Sequence, residues 1–173
     1  MTYRAATIDE FDEIAKLHAL SWSKFYRGIF TDEYLDNNLL KDRLAVWKNR
    51  AANVDPKRKV IIASQNECIV GFACTYLDHS SGYGSLLDNL HVHEDYQGQG
   101  IGLKLLQISY DWVKSERPDQ VMFLTVLSEN YKSKAFYYRF GGKFMEEYFE
   151  KTPYGAKVSV ERIQWDTRPE LIK

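Results

Sequence analysis

Residues 97 to 102 read Gln97-Gly98-Gln99-Gly100-Ile101-Gly102, three glycines spaced two apart between an apolar run and a helical one. Glycine weakens both strands and helices, so its concentration at a junction needs a reason. A strand that runs into glycines, which then open a helix, aims several backbone N–H groups at one point. The helix dipole adds partial positive charge there. A Cβ would block the close approach of an anion, and some turn positions need φ > 0. The chemistry this favours is phosphate binding by the amides of residues 98 to 103, from Gly98 through Gln99, Gly100, Ile101 and Gly102 to Leu103. A tight strand-to-helix turn with no ligand is the plainer alternative, although one glycine would serve for that.

Two nucleotide-binding patterns fail here. A P-loop needs Lys-Ser or Lys-Thr after its last glycine, whereas Ile101 and Leu103 flank Gly102. The Rossmann pattern G-x-G-x-x-G, started at Gly98 and Gly100, requires a third glycine where Leu103 stands. That turn also follows the first strand of a parallel unit, and this one follows three β-rich runs of antiparallel character.

The pattern that fits is Gln/Arg-x-x-Gly-x-Gly/Ala, beginning at Gln97. Preceded by the strand "LDNLHV" and followed by an amphipathic helix, it resembles the acyl-CoA pyrophosphate loop of GNAT-type N-acetyltransferases. A second segment, "NYKSKAFYYRFGG" (130–142), is similar to that family's Asn-x-x-Ala-x-x-Phe-Tyr-x-x-x-Gly, with Asn130, Tyr137 and Gly141 in register and Ser133 where alanine is common. The resemblance extends in element order over essentially the whole chain, 1–173, as a single N-acetyltransferase domain. It implies the GNAT fold: a mixed α/β (α+β) architecture with a central, mostly antiparallel sheet of about seven strands, flanked by helices and splayed in a V between the fourth and fifth strands. It implies acetyl-CoA as the acyl-donor cosubstrate and an amine acceptor.

Four requirements of acyl transfer from a thioester to an amine can then be assigned. The anionic cofactor is held by the glycine loop, and the resemblance adds the side chain of Asn130 near the pantetheine arm. A helix cap for 131–140 is the local alternative for Asn130, compatible with the first. By resemblance the amide of Val92 polarises the carbonyl, with Leu90, His91 and Val92 pairing to the pantetheine as an extra strand would. The incoming alkylamine is almost wholly protonated at neutral pH, so a carboxylate must take its proton. Asp88, four residues before Val92 and so on the same strand face, is the candidate base; a solvated or salt-bridged strand Asp is the plain reading. Thr125 stands where some relatives keep a glutamate base. The leaving thiolate needs a proton donor, and Tyr137 matches the family's acid tyrosine. Phe136 and Tyr138 are also aromatic, so simple packing is the competing role. No metal site is expected. A non-catalytic acyl-CoA-binding module would keep the loop and need neither Tyr137 nor Asp88.

The acceptor side is less legible. "SWSKFYRGIF" (21–30) places Trp22, Phe25, Tyr26 and Phe30 on the expected roof of the acceptor cleft, where aromatic faces suit an apolar or cationic group; helix packing is the plain reading. His91 and His93 have the opposite strand parity to Asp88 and read as surface or packing residues. Glu146, Glu147 and Glu150 alternate with aromatics and read as a solvated strand face.

The elements that must position these residues follow from periodicity. Runs at 2–7, 59–77 (two strands about Gln65-Asn66-Glu67), 83–93, 120–127, 143–150 and 157–166 read as strands, the last two about a Pro153-Tyr154-Gly155 turn. Segments 9–22, 25–52, 100–116 and 130–140 read as helical. Phe11, Ile14, Leu17 and Leu20 share a face of the first, capped by Thr7 or Asp9. Ile101, Leu105, Ile108 and Trp112 do so in the third. The second holds a turn at Arg27-Gly28 and a cap at Thr31 or Asp32. The order is β, α, α, β, β, β, α, β, α, β, β, a mixed sheet with one strand–helix–strand crossover.

With 173 residues the chain suits one domain, and at 45% hydrophobic and 27% charged it needs no disulfide or metal to hold its core. Net charge is −1, without the basic excess of a nucleic-acid binder. Cys68 and Cys74, six apart on one strand, read as free buried thiols in a reducing compartment. No apolar stretch approaches membrane length and the N-terminus has no signal core, so no membrane partner is expected and the cytoplasm is the expected location. Family members often dimerise, which leaves a homodimer open.

Overall fold

A computed structural model describes residues 1–151 and 157–172. The Pro153-Tyr154-Gly155 turn lies outside the described residues. The elements follow the expected order: β1 (Thr2–Ala5), α1 (Phe11–Phe25), α2 (Leu39–Ala52), β2 (Arg58–Gln65), β3 (Cys68–Ser80), β4 (Gly84–Val92), α3 (Ile101–Glu116), β5 (Met122–Leu127), α4 (Tyr131–Arg139), β6 (Lys143–Lys151) and β7 (Lys157–Trp165). The strands hydrogen-bond in the order β1-β2-β3-β4-β5-β7-β6, a seven-stranded mixed sheet. By contact density the chain forms two compact units, Met1–Cys74 with Asn89–Leu105, and Thr75–Asp88 with Leu106–Lys173. The strands β3 and β4 and the helix α3 run through both.

In the first unit, β1 pairs antiparallel with β2, from Thr2↔Ser64 to Ala5↔Ile61. The β2–β3 hairpin closes through Asn66 (φ 49°) and Glu67 (φ 66°), both left-handed. Two such residues in a two-residue loop match the right-handed twist of the flanking strands. The start of α1 is fixed by Glu10, whose carboxylate accepts from the Thr7 amide at 2.8 Å and its hydroxyl at 3.2 Å. Thr31 opens the next helical segment by accepting from the Tyr34 amide at 3.3 Å. Phe11, Ile14, Leu17 and His18 of α1 are buried, as are Leu39, Arg43 and Trp47 of α2, one residue per turn. Leu20 does not share that face and is 41% exposed.

In the second unit, β4 and β5 pair in parallel at Ser85↔Met122 and Leu86↔Phe123. This short parallel register follows the α3 crossover. β5 pairs antiparallel with β7 over a longer run, Met122↔Trp165 to Leu127↔Val160. β6 pairs antiparallel with β7, with a register shift between Phe144 and Glu146. β5 is buried except at Thr125 and Leu127. On α3 the buried stripe passes through Ile101, Leu105 and Val113, while Ile108 and Trp112 are half-buried.

One expectation about the cysteines is corrected. Cys74 is buried, but Cys68 is exposed. Equal parity puts both on one strand face, yet Cys68 is the first residue of β3, beside the hairpin turn, where nothing covers its side. Among the described residues no helix is long and apolar enough to cross a membrane.

Candidate active site

The residues singled out from sequence fall in both units. Leu90 to Val92 and the loop 97 to 103 belong to the first; Asp88, Asn130 and Tyr137 belong to the second.

The strand β4 ends at Val92, and the His93 amide still donates to Val70 of β3 at 2.8 Å. A single 3₁₀ turn, Glu94–Tyr96, follows. The Gln97 side-chain amide reaches back and donates to the Val92 carbonyl at 3.0 Å, tying the loop to the strand end. Gln99 donates to the Asp95 carbonyl at 3.3 Å. Gly98 (φ 76°) and Gly100 (φ 79°) are both left-handed, a conformation that side chains with a Cβ rarely adopt. A Cβ on either would meet nothing within 4 Å, so glycine is demanded by the backbone angle and the space above the loop is open. The first bond into α3 runs from the Lys104 amide to the Gly100 carbonyl at 3.0 Å. The amides of Ile101, Gly102 and Leu103 therefore lie in the helix's first turn, where an N–H has no intrahelical acceptor. Donors, dipole and open space are what an anionic phosphate requires.

One step back along β4, His91 faces α1. Its ring lies 4.8 Å from His18 and 5.2 Å from Phe72, and its Nδ1 is 2.8 Å from the Ser21 hydroxyl. Burial first, and the Arg43 charge second, push His91 down to about 4, so it is neutral at pH 7. Trp22 stacks on Tyr26 at 4.6 Å and on Phe30 at 5.9 Å, and all three pack against buried Leu35 and Leu39. The aromatic roof is thus a packed layer, with the Arg43 guanidinium 4.4 Å from the Trp22 ring centre. His18, Ser21 and Arg43 were not legible as site residues. His18 meets Trp47 and His91, Ser21 meets His91 and Arg43 meets Trp22 across long sequence separations, and only the four-residue spacing of His18 and Trp22 hinted at a shared helix face.

In the second unit, Asn130 caps α4 by accepting from the Ser133 amide at 3.1 Å. Its cap role is therefore real, and its amide nitrogen is not the atom used. Tyr137 is the buried residue of α4, 8% exposed, with its ring 5.7 Å from Trp165 and 5.4 Å from Phe136. Neighbouring Tyr138 is committed elsewhere: its hydroxyl donates to Glu161 at 2.5 Å, a carboxylate also paired with Lys134 at 2.5 Å. Burial and that carboxylate push Tyr138 up to about 12. Asp88 occupies an exposed position of β4. Thr125 is exposed and opposite Arg162 of β7. The acidic strand is engaged too. Glu146 pairs with Arg162 and accepts from the Tyr83 hydroxyl at 2.9 Å, while Glu147 accepts from Ser128 and Ser159. His93 is a half-buried cap residue whose Nδ1 accepts from the Asp95 amide at 3.4 Å.

Residues 9–142, more than half of the chain, match the model of the acetyltransferase (GNAT) family. The chain is 28% identical over 134 residues to the uncharacterised N-acetyltransferase YuaI of Bacillus subtilis (strain 168), covering 75% of this chain and 73% of that one. Among solved structures, the PaiA N-acetyltransferase of Thermoplasma acidophilum in complex with coenzyme A is similar at a TM-score of 0.67 and 21% identity, over 93% of this chain and 98% of that one. YncA of Salmonella typhimurium, solved with acetyl-CoA, is similar at 0.66 and 22%, over 100% and 96%.

Proposed function

Because the chain belongs to the GNAT family of acetyltransferases, we propose that it moves an acetyl group from acetyl-CoA to a primary amine of a small molecule or peptide, by direct transfer in a ternary complex. The amides of Gly98 to Leu103 hold the diphosphate of the cofactor, and Gln97 keeps that loop fixed to the end of β4. Leu90, His91 and Val92 offer their main chain to the pantetheine arm, and Asn130 adds a side-chain contact beyond its cap. The observation that carries this reading is the pair of left-handed glycines, Gly98 and Gly100, leading into the first turn of α3 with nothing within 4 Å of where a Cβ on either would stand. Two structurally similar proteins, the PaiA N-acetyltransferase and YncA, were solved with coenzyme A and acetyl-CoA respectively.

In the transfer itself Asp88 takes a proton from the ammonium group. The freed nitrogen attacks the thioester carbon, and the Val92 amide stabilises the oxyanion that forms; losing such a donor costs roughly 3 kcal/mol in comparable sites. The C–N bond forms as the C–S bond breaks. Tyr137 gives its phenolic proton to the departing sulfur, and the proton shed by the acylated nitrogen restores it. A buried Tyr137 on α4, beside a Tyr138 already bonded to Glu161, favours Tyr137 as the donor. A cytoplasmic location fits this donor and the free thiols.

Calorimetry with acetyl-CoA, followed by thiol release with a panel of amines, tests the reading. Acetyl-CoA binding and amine-dependent release are expected; absence of binding would remove the proposal.

A further inference from the structure

Two buried hydrogen-bond donors in the first unit have no acceptor among the described residues, and both belong to residues packed on Trp22. The first is His18. The Trp47 indole, which can only donate, gives its N–H to His18 Nδ1 at 3.2 Å. That nitrogen is therefore bare. Burial first, then the charges near it, hold His18 well below its usual range, so the ring is neutral and its single proton sits on Nε2. His18 is 1% exposed and Nε2 has no partner. The second is Arg43, 8% exposed, whose Nη2 donates to Asp42 at 2.9 Å while its Nε–H has no partner. His18 meets Trp22 edge-on at 5.2 Å, and the Arg43 guanidinium lies 4.4 Å from the same ring's centre.

Buried donors are nearly always satisfied, and each exception calls for an explanation. These two share a sign: both offer hydrogen. Asp42, which faces Arg43, also accepts from the Tyr34 hydroxyl at 2.6 Å. An ammonium group, which has hydrogens to give and no lone pair to accept with, would satisfy neither donor, against the expectation drawn from the aromatics alone. An anionic oxygen would satisfy the orphaned N–H groups.

We propose that this cluster seats a carboxylate carried by the acceptor, so that the amine acetylated is amino-acid-like, an amine bearing a carboxylate group. The inference rests on the acetyl transfer proposed above and names the substrate class for it. A carboxylate presents two oxygens that can accept from such N–H donors. The seat lies next to the proposed oxyanion donor along β4: His91, whose ring is 4.8 Å from His18, immediately precedes Val92. Arg43 and His18 act here as specificity residues, touching a part of the substrate remote from the bond that changes.

The test compares wild-type kcat/KM, by thiol release, for amino acids, their methyl esters and primary amides, polyamines and phosphoethanolamine. Free amino acids are expected to exceed their own esters and amides by at least about tenfold, since a site built for a polar group rejects analogues lacking it. In Arg43→Gln that preference is expected to collapse toward unity through a rise in KM for the acids. The proposal is overturned if esters, amides or polyamines match the acids on the wild-type enzyme, the result expected if a water fills the seat. It is equally overturned if phosphoethanolamine outranks the amino acids, or if folded Arg43→Gln keeps the acid preference. The wild-type comparison decides even where the variant fails to fold. Acetylation of amines regardless of carboxylate removes this inference and leaves acetyl transfer standing; no acetyl-CoA binding in calorimetry removes both.

Discussion

The Tyr137 carbonyl accepts the Gly142 amide at 2.9 Å, and a Cβ built on Gly142 would stand 2.9 Å from that same oxygen. The same Cβ would lie 2.6 Å from Ile163 Cγ2 and 3.0 Å from the Trp165 ring. Close approach without a side chain is what lets the turn after α4 fold under the helix and fix the backbone of Tyr137. Gly142→Ala therefore forces a shift at the residue proposed as the acid. Overpacking of this kind costs about 1–3 kcal/mol. A fall in Tm of roughly 2–10 °C with reduced kcat is expected in thermal and kinetic assays; unchanged values of both would contradict the contact.

The two adjacent tyrosines should separate cleanly. Tyr137→Phe is expected to lower kcat by about 10²–10⁴-fold, the range for a lost general acid, with acetyl-CoA affinity within a factor of two or so. Tyr138→Phe removes a hydrogen bond to Glu161 and leaves that carboxylate with Lys134. Its expected effect is on stability, about 1–2 kcal/mol, with kcat near wild type. Thiol release and denaturant titration of both variants check this, and equal rates for wild type and Tyr137→Phe would remove the acid assignment.

Gly100 has room for a methyl group but the wrong backbone angle for one. Gly100→Ala should strain the loop by about 1–2 kcal/mol and weaken acetyl-CoA binding roughly 5- to 30-fold in calorimetry. Circular dichroism should stay native, because no packing is disturbed. A variant that binds acetyl-CoA as tightly as wild type would show that the loop geometry is not used.

Stability should also depend on His91. Its folded form is neutral down to about 4, whereas an unfolded imidazole takes a proton near 6.5. Between those values the unfolded chain binds the extra proton, so the stability His91 contributes is present above pH ~6.5 and is lost as pH falls toward 4. Carboxylate pairs contribute to acid sensitivity as well, so the comparison is with His91→Gln. Tm of the variant is expected to fall less steeply from pH 6.5 to 4.5; parallel curves would contradict a buried neutral imidazole.

What could be read from the sequence was what is local along it. The glycine loop, the Asn66-Glu67 hairpin and the Thr31 cap each depend on residues within a few positions, and each appears as expected. Element order followed from hydrophobic periodicity, and the family from two motifs at a fixed separation. Cys68 was misplaced because strand parity gives a face and says nothing of what covers the strand's first residue. Leu20 was misplaced because helical spacing cannot say where the stripe facing α2 ends. The cluster of His18, Arg43 and His91 was out of reach, since it joins residues 25 and 73 positions away from His18. Its orphaned donors exist only once the fold has shut them from water.

The main-chain grip on the diphosphate is tested most directly by following the backbone amides of ¹⁵N-labelled protein as acetyl-CoA is added. The largest shifts are expected at Gly98, Gly100, Ile101, Gly102 and Leu103, saturating together with a single affinity. Saturating acetyl-CoA that leaves those five amides unmoved would contradict the account.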